Sequence, residues 1–414
     1  MIFNSVRSLR PHPLSPRRGL WNRLYGFLFG SVMSGSLVVA LVVPVPAGPG
    51  EVHVAPPFVT TTPSRVIHWT PGVESALVIP SLGVSLSSPN DHAVPIASLT
   101  KLMTALVVLE RLPLNVGQTG PCLTVTAADV ALERYDVSTD QSNAAVALGE
   151  RLCENTLLEG LLIHSASDFA TLLARLAYGS TEVTLAHMNA RAHQLGLSAT
   201  HYVDLSGFDP GDVSSALDQG RLASVLMQYS LVRHIVSQPS VTLPVAGTLS
   251  TYTPLLGVDH VVGVKSGRTS AAGGTDVLAM RFALTSTTSA LAYAVVLGAQ
   301  GGDLITPAGD DALRLAQQAL SGQRSLRLRT GTPLATYGWP GSTTTFVTSA
   351  PLSFTYWPQW SSSWPILGIA LASRTRALSA HSPVGELLAP LTRERVGLLS
   401  TSAVTPPSWW QRLR

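Results

Sequence analysis

Two lysines stand in this 414-residue chain against twenty-five arginines, and each occupies a position that fixes local structure. Lys101 closes the string Ser98-Leu99-Thr100-Lys101 at the head of a helix of apolar period. Lys265 opens Lys265-Ser266-Gly267 directly after Val261-Val262-Gly263-Val264, a run that reads as a strand and not a loop. Arginine replaces lysine well on a solvated surface, so a GC-rich coding bias removes every dispensable lysine. It cannot replace lysine where an amine must lose its proton, or where a compact ammonium must fit a tight pocket. The two survivors therefore mark chemistry. The plain alternative is chance placement, and it has to account for S-x-x-K and K-[ST]-G together.

Hydrophobic residues make up 45% of the chain and charged residues 12%, enough apolar material for a sizeable core. Abundant Gly, Pro, Ser and Thr fit an extracytoplasmic protein with β structure. The net charge is +3, yet Arg7, Arg10, Arg17, Arg18 and Arg23 all precede the first apolar segment, so the remainder is near neutral. No basic patch interleaved with aromatics follows, which excludes nucleic acid as a partner. The uncharged run Leu24 to Val45 is long enough to span a bilayer. Positive charge ahead of it keeps the leader in the cytoplasm and sends the rest across. Val45-Pro46-Ala47 offers small residues to signal peptidase, but Pro46 makes it a poor site, so an uncleaved anchor is expected.

The two cysteines, Cys122 and Cys153, suit an exported chain. A bridge between them would stabilise by roughly 3 kcal/mol in the chain-entropy model; two separate buried thiols are the alternative. No C-x-x-C, H-E-x-x-H or comparable spacing occurs, so neither a metal site nor a cofactor is expected.

Short apolar runs between Arg65 and Val84 read as strands, broken by Pro71-Gly72, Pro80 and Gly83. Ser98 to Arg111 reads as a helix with Leu102, Leu106 and Leu109 on one face and Pro113 beyond its end. Cys153 to Ala177 has helical period, interrupted around His164-Ser165, and Glu182 to Leu195 and Leu217 to Val232 continue the helical pattern. His260 to Val264, Asp276 to Leu284 and Ser289 to Leu297 read as strands, and Gly309 to Leu320 as a helix packed on them. Beyond Ser325, Thr/Ser/Trp-rich segments with Gly and Pro breaks predict a small β region. The closing Trp409-Trp410-Gln411-Arg412-Leu413-Arg414 pairs aromatics with arginines, as a membrane-interface segment or a frayed tail does.

Ser98 and Lys101 are three residues apart at a helix start, so their side chains point the same way. A serine hydroxyl is a weak nucleophile until a base takes its proton. Lysine becomes that base when an apolar surround disfavours its ammonium form, and Leu99, Leu102 and Met103 supply such a surround. On the strand, an ammonium and a hydroxyl suit a substrate carboxylate, and Gly267 allows close backbone approach.

Ile96-Ala97-Ser98-Leu99-Thr100-Lys101-Leu102-Met103-Thr104-Ala105 resembles the nucleophile motif of the D-alanyl-D-alanine carboxypeptidases. These are low-molecular-mass penicillin-binding proteins of the serine β-lactamase superfamily. Gly263-Val264-Lys265-Ser266-Gly267-Arg268-Thr269-Ser270-Ala271-Ala272-Gly273 resembles that family's third motif. Met188-Asn189-Ala190-Arg191-Ala192, Leu195-Gly196 and Thr200-His201-Tyr202 through Ser206-Gly207 resemble its connecting segment. The likeness runs from about Arg65 to Gln300.

The resemblance implies the α/β penicillin-recognising fold, a mainly antiparallel sheet flanked by helices beside a helical subdomain, followed here by a small β-rich region. It divides the chain into a basic leader (1–23), a signal or membrane anchor (24–47), a linker (48–61), a serine carboxypeptidase domain (62–322), a β-rich region (323–403) and an aromatic, basic tail (404–414). It implies removal of the terminal D-alanine from peptidoglycan stem peptides, at the outer face of the bacterial cytoplasmic membrane, with β-lactams as covalent inhibitors. Ser98 would attack the penultimate D-alanine carbonyl with Lys101 as base, and Ser165 would relay the proton to the leaving amine. Lys265, Ser266 and Gly267 would bind and orient the terminal carboxylate end. The N–H groups of Ser98 and Arg268 would form the oxyanion hole, worth roughly 3 kcal/mol per donor.

One position departs from the family. Its S-x-N motif reads Ser165-Ala166-Ser167 here, followed by Asp168. Asparagine offers an amide to the acyl chain and to the lysine base, whereas serine offers one hydroxyl. The loss of one good hydrogen bond costs about 1–3 kcal/mol, roughly ten- to a hundredfold in rate. The alternative function is thus a weakened or inactive homologue that binds or scaffolds peptidoglycan.

Overall fold

The computed structural model describes residues 51–54, 67–339 except 286, 342–360, 366–369 and 377–405 except 390 and 392. The leader, the apolar run 24–47 and residues 406–414 of the tail lie outside the described residues. Among the described residues no helix is long and apolar enough to cross a membrane.

Five antiparallel strands form the central sheet, in the order Val261–Thr269, Gly273–Ala283, Ser289–Ala299, Glu74–Ile79, Val84–Ser87. Side chains alternate between its faces. Leu77, Ile79, Leu278, Met280 and Val296 pack with one set of helical residues, Ala312, Leu315 and Ala316 of Ile305–Leu320, while Ala76, Val78, Val277, Ala279, Val295 and Leu297 face the larger helical side. Both faces are buried, so these strands are continuous apolar runs with no polar alternation to reveal their period.

The helical side is built from α1 (Thr100–Arg111), α2 (Ala127–Ser138), α3 (Glu154–Ile163), α4 (Ser167–Tyr178), α5 (Thr181–Gln194), α6 (Ala216–Leu226) and α7 (Ser230–Val236). Every residue of α1 from Thr100 to Leu109 is buried, as expected of a helix enclosed on all sides. Ser98 precedes it in a 3-10 turn, Ala97–Leu99. Cys122 and Cys153 are directly opposite in a two-stranded ladder and form a disulfide, which decides between the two readings of the cysteines.

Several elements differ from the sequence expectation. The helix expected over 217–232 is two, because the carbonyls of Met227 and Gln228 accept the Arg233 guanidinium at 2.6 and 2.8 Å where the helix breaks. The last long helix, α8, starts at Ile305 and not Gly309: Pro307 sits in its first turn, where a missing N–H costs nothing. Within the stretch expected as a linker, Glu51–Val54 pairs antiparallel with Pro333–Trp339 as the edge of the second sheet. Its Glu-Val-His-Val alternation carries that strand period.

Past α8 the chain supplies five strands of a six-stranded antiparallel sheet, completed by Glu51–Val54, and a two-stranded ladder around their own core of Leu334, Phe346, Phe354, Val384, Leu387 and Leu398. This region is fastened to the C-terminus of α8. The Trp357 indole N–H donates to Leu320 O, the Trp360 indole N–H to Ala319 O, and the Gln359 amide to both Ala319 O and Ser321 O. Those carbonyls have no partner inside the helix, so the tryptophans satisfy a standing need.

Candidate active site

The nucleophile turn meets the edge strand of the central sheet. A Cβ at Gly267 would stand 2.7 Å from the Ser98 amide nitrogen and 3.1 Å from Ser98 Cβ, so the glycine makes room for the serine itself. Thr275, on the neighbouring strand, bonds both Ile96 O and Gly267 O at 3.2 Å and holds turn and strand together. Ser98 is half-buried, while Lys101 behind it is 1% exposed.

Lys101 Nζ has three neighbours: Ser98 Oγ at 3.0 Å, Ser167 Oγ at 3.2 Å and Ser206 O at 2.8 Å. A neutral amine has two hydrogens and one lone pair. Two N–H bonds to Ser167 and Ser206 leave the lone pair for the Ser98 proton. Burial lowers the Lys101 pKa to about 8, although the charges of Asp204, Asp136, Asp168 and Asp212 oppose the shift. About a tenth of the lysine is then neutral at pH 7.

The loop that delivers Ser206 O is organised by two aspartates. Asp204 accepts the N–H groups of Ser206, Gly207 and Asp209, each at 2.6 Å. Asp212, fully buried, accepts Val203 N–H at 2.6 Å, Asp204 N–H at 2.9 Å and the Thr100 hydroxyl at 2.6 Å, and its own carbonyl accepts Ile96 N–H at 3.1 Å. One residue thus ties the nucleophile turn, α1 and the loop together.

The two serines after the α3 break part company. Ser165 has a φ of 64°, is 2% exposed, and its hydroxyl makes no hydrogen bond among the described residues. Ser167, the first residue of α4, reaches Lys101. Asp168 beside it accepts Ala144 N–H at 3.1 Å, and burial raises its pKa to about 7.

On the edge strand, Lys265 and Ser266 are both 1% exposed. Lys265 Nζ donates to Ser266 O at 2.6 Å, and the Ser266 hydroxyl donates to Tyr252 O at 2.5 Å. Asp276 pairs with Ser266 in register, is fully buried, and leaves one carboxylate oxygen without a partner among the described residues. Burial pushes Lys265 well below its usual range, and the Lys101 charge adds to that. Burial also raises Asp276 to about 8, partly offset by Lys265. The Arg268 side chain is exposed and turned toward Asp303 O at 3.4 Å.

Sequence reasoning missed Asp136, Asp204, Asp212 and Asp276. Asp136 sits on α2, a helix the sequence reading did not predict although the Thr126/Asp129 capping box is a local signal for its start. Among the described residues no group of three or more His, Cys, Asp or Glu side chains is placed to hold a metal ion.

The site therefore unites a half-exposed serine, a desolvated lysine within reach of its hydroxyl, and a second buried lysine on an adjoining strand. A sequence model of peptidase family S11, D-alanyl-D-alanine carboxypeptidase, matches residues 82–301. A D-alanyl-D-alanine endopeptidase of Pseudomonas aeruginosa is 35% identical over 172 residues, 41% of this chain and 52% of that protein. The D-alanyl-D-alanine carboxypeptidase DacB2 of Mycobacterium tuberculosis is 35% identical over 153 residues, 36% and 48% of the two chains. This chain spans about half the length of the curated relatives it matches. The crystal structure of the Streptomyces K15 DD-transpeptidase superposes with a TM-score of 0.52 at 25% identity, over 60% of this chain and 96% of that one. Penicillin-binding protein 5 of Haemophilus influenzae shares the fold at 20% identity, with a TM-score of 0.55 over 84% and 100%. The match covers the nucleophile turn, α1 to α7 and the Lys265 strand, and on that ground the chain belongs to the D-alanyl-D-alanine carboxypeptidase family of serine peptidases.

Proposed function

We propose that this protein is a serine D-Ala-D-Ala carboxypeptidase that trims peptidoglycan stem peptides outside the cytoplasmic membrane. The observation that carries this reading is the 3.0 Å contact between Ser98 Oγ and a buried Lys101 whose pKa is lowered to about 8. Ser98 Oγ attacks the carbonyl of the penultimate D-alanine and its proton passes to Lys101 Nζ. The tetrahedral oxyanion collapses, the C–N bond breaks, and the amine of the terminal D-alanine leaves with a proton supplied through the serine pair 165/167. Water then adds to the acyl-enzyme, gives its proton to the same base, and Ser98 leaves reprotonated. The N–H groups of Ser98 and Arg268 serve the oxyanion.

Lys265 and Ser266 are assigned to the substrate's terminal carboxylate, and Gly267 gives the approach. A buried amine that a carboxylate draws into its charged form favours an exopeptidase reading, because an internal peptide bond offers no carboxylate there. Curated relatives carry both carboxypeptidase and endopeptidase names. The Ser167 contact to Lys101 supports a working site over a scaffold that only binds peptidoglycan. The segment 24–47 is proposed as the membrane anchor, with β-lactams as covalent inhibitors of Ser98.

Intact-mass spectrometry of the protein with benzylpenicillin, beside Ser98→Ala, tests the reading. A covalent adduct on the wild type alone is expected. If neither protein gains mass and the penicillin stays intact, the catalytic reading is lost.

A further inference from the structure

The α3–α4 junction carries two serine hydroxyls, separated by Ala166, and among the described residues only that of Ser167 bonds Lys101. Ser165 is fixed at φ 64°, 2% exposed, with no hydrogen bond to its hydroxyl among the described residues. Ser167 Oγ lies 3.2 Å from Lys101 Nζ, and Ser98 Oγ lies 3.0 Å from the same nitrogen. A continuous chain of exchangeable protons therefore runs Ser98–Lys101–Ser167. Ser167 is also free for this work. Its backbone N–H is taken by Ser142 O at 2.8 Å, and no side chain caps α4, so its hydroxyl has no capping duty. Ser167 is 8% exposed against 2% for Ser165.

Given the carboxypeptidase reading above, we propose that Ser167, and not Ser165, carries the proton from Lys101 to the leaving amine. As the tetrahedral intermediate collapses, Ser167 Oγ gives its hydrogen to the D-alanine nitrogen and takes one from Lys101 Nζ. The C–N bond breaks and Lys101 returns to its neutral form. The proton that left Ser98 has then been handed on, with no other donor needed. In deacylation the relay runs backward: the attacking water loses its proton toward Lys101, and Ser98 Oγ recovers one as the ester C–O bond breaks. An amide at position 167 could hold the lysine by a hydrogen bond but could not pass a proton. Serine in place of the expected asparagine thus relocates a step and does not merely weaken a contact.

The test is steady-state kinetics on a synthetic peptide ending in D-Ala-D-Ala, with benzylpenicillin acylation by intact mass in parallel, for wild type, Ser165→Ala, Ser167→Ala, Ser167→Thr and Ser167→Asn. Thermal melting confirms that each variant is folded. Ser167→Ala should lower kcat about a hundredfold or more, with KM within about threefold, as loss of a proton-transfer group does. Ser167→Thr, which keeps a hydroxyl, should recover most of that loss, and Ser167→Asn should not. The loss in Ser165→Ala should be at least tenfold smaller than that in Ser167→Ala. Equal losses at 165 and 167, or an Asn variant as active as wild type, overturn the relay while the carboxypeptidase reading stands. A wild type that neither cleaves the peptide nor gains the penicillin adduct overturns both.

Discussion

A Cβ on Gly207 would overlap the carbonyl oxygen of Ala97, so the loop that presents Ser206 to Lys101 sits directly on the turn that carries Ser98. Gly207 has a φ of 84°, a left-handed conformation that glycine adopts without strain. Gly207→Ala should therefore push loop and turn apart. The expected result is a benzylpenicillin acylation rate lowered at least about tenfold, with a melting temperature lower by several degrees, because strain of this kind costs about 1–3 kcal/mol. An unchanged rate would mean that Lys101 does not depend on Ser206.

Lys101→Arg should abolish acylation, since a guanidinium stays protonated at any pH where the protein is folded. The wild-type acylation rate should rise with pH and level off above about 8, because the base acts in its deprotonated form and its pKa is lowered to about 8. Asp136 is one of the charges that opposes that lowering; its own pKa is raised by burial to about 6, so it is ionised at pH 7. Asp136→Asn removes a negative charge near Lys101 and should move the rising limb to lower pH. A pH–rate profile of penicillin acylation reads this directly. A limb that stays in place would remove Asp136 from the electrostatics of the site.

Glu154 opens α3 away from the site, is fully buried, and neither of its carboxylate oxygens has a partner among the described residues. Burial raises its pKa from 4.5 to about 7. Between those values the folded protein binds a proton that the unfolded chain has lost, so this group's contribution falls as pH rises from about 4.5 to 7. Glu154→Gln removes the buried charge and should raise the melting temperature by about 2–5 °C at pH 8, with little change at pH 5. A gain of the same size at both pH values would trace the effect to packing and not to ionisation.

The sequence was most legible where chemistry and local structure coincide. Ser98, Lys101 and Lys265 fall where their strings placed them, because a helix start and an apolar strand each fix side-chain direction over a few residues. Asp136, Asp204 and Asp212 near Lys101, and Asp276 near Lys265, were not legible. Burial of Asp212 or Asp276 is decided by elements distant in sequence: Asp212 meets Thr100, 112 residues away. No local pattern separates such a residue from a solvated one. The strand Glu51–Val54 was hidden for a similar reason, since its partner Pro333–Trp339 lies beyond the whole carboxypeptidase-like region. The Ser165/Ser167 difference was the opposite case. The departure from S-x-N was visible in the string, but only the geometry at Lys101 showed which hydroxyl it favours.

Lys265 and Asp276 are both buried on neighbouring strands, with Lys265 Nζ donating to Ser266 O. On the proposed reading, a substrate carboxylate supplies an anion there and draws Lys265 out of the neutral form that burial favours. Lys265→Gln keeps a donor for Ser266 O but no charge. It should cost about ten- to a hundredfold in kcat/KM on a peptide with a free D-Ala carboxylate, the range for a lost charged hydrogen bond. On the matching C-terminal amide the loss should be small, because the charge has nothing to meet. The ratio of the two kcat/KM values is the measurement: a large preference for the acid in wild type should collapse toward unity in Lys265→Gln. If the preference survives, the carboxylate is held elsewhere, and the exposed guanidinium of Arg268 becomes the side chain to change next.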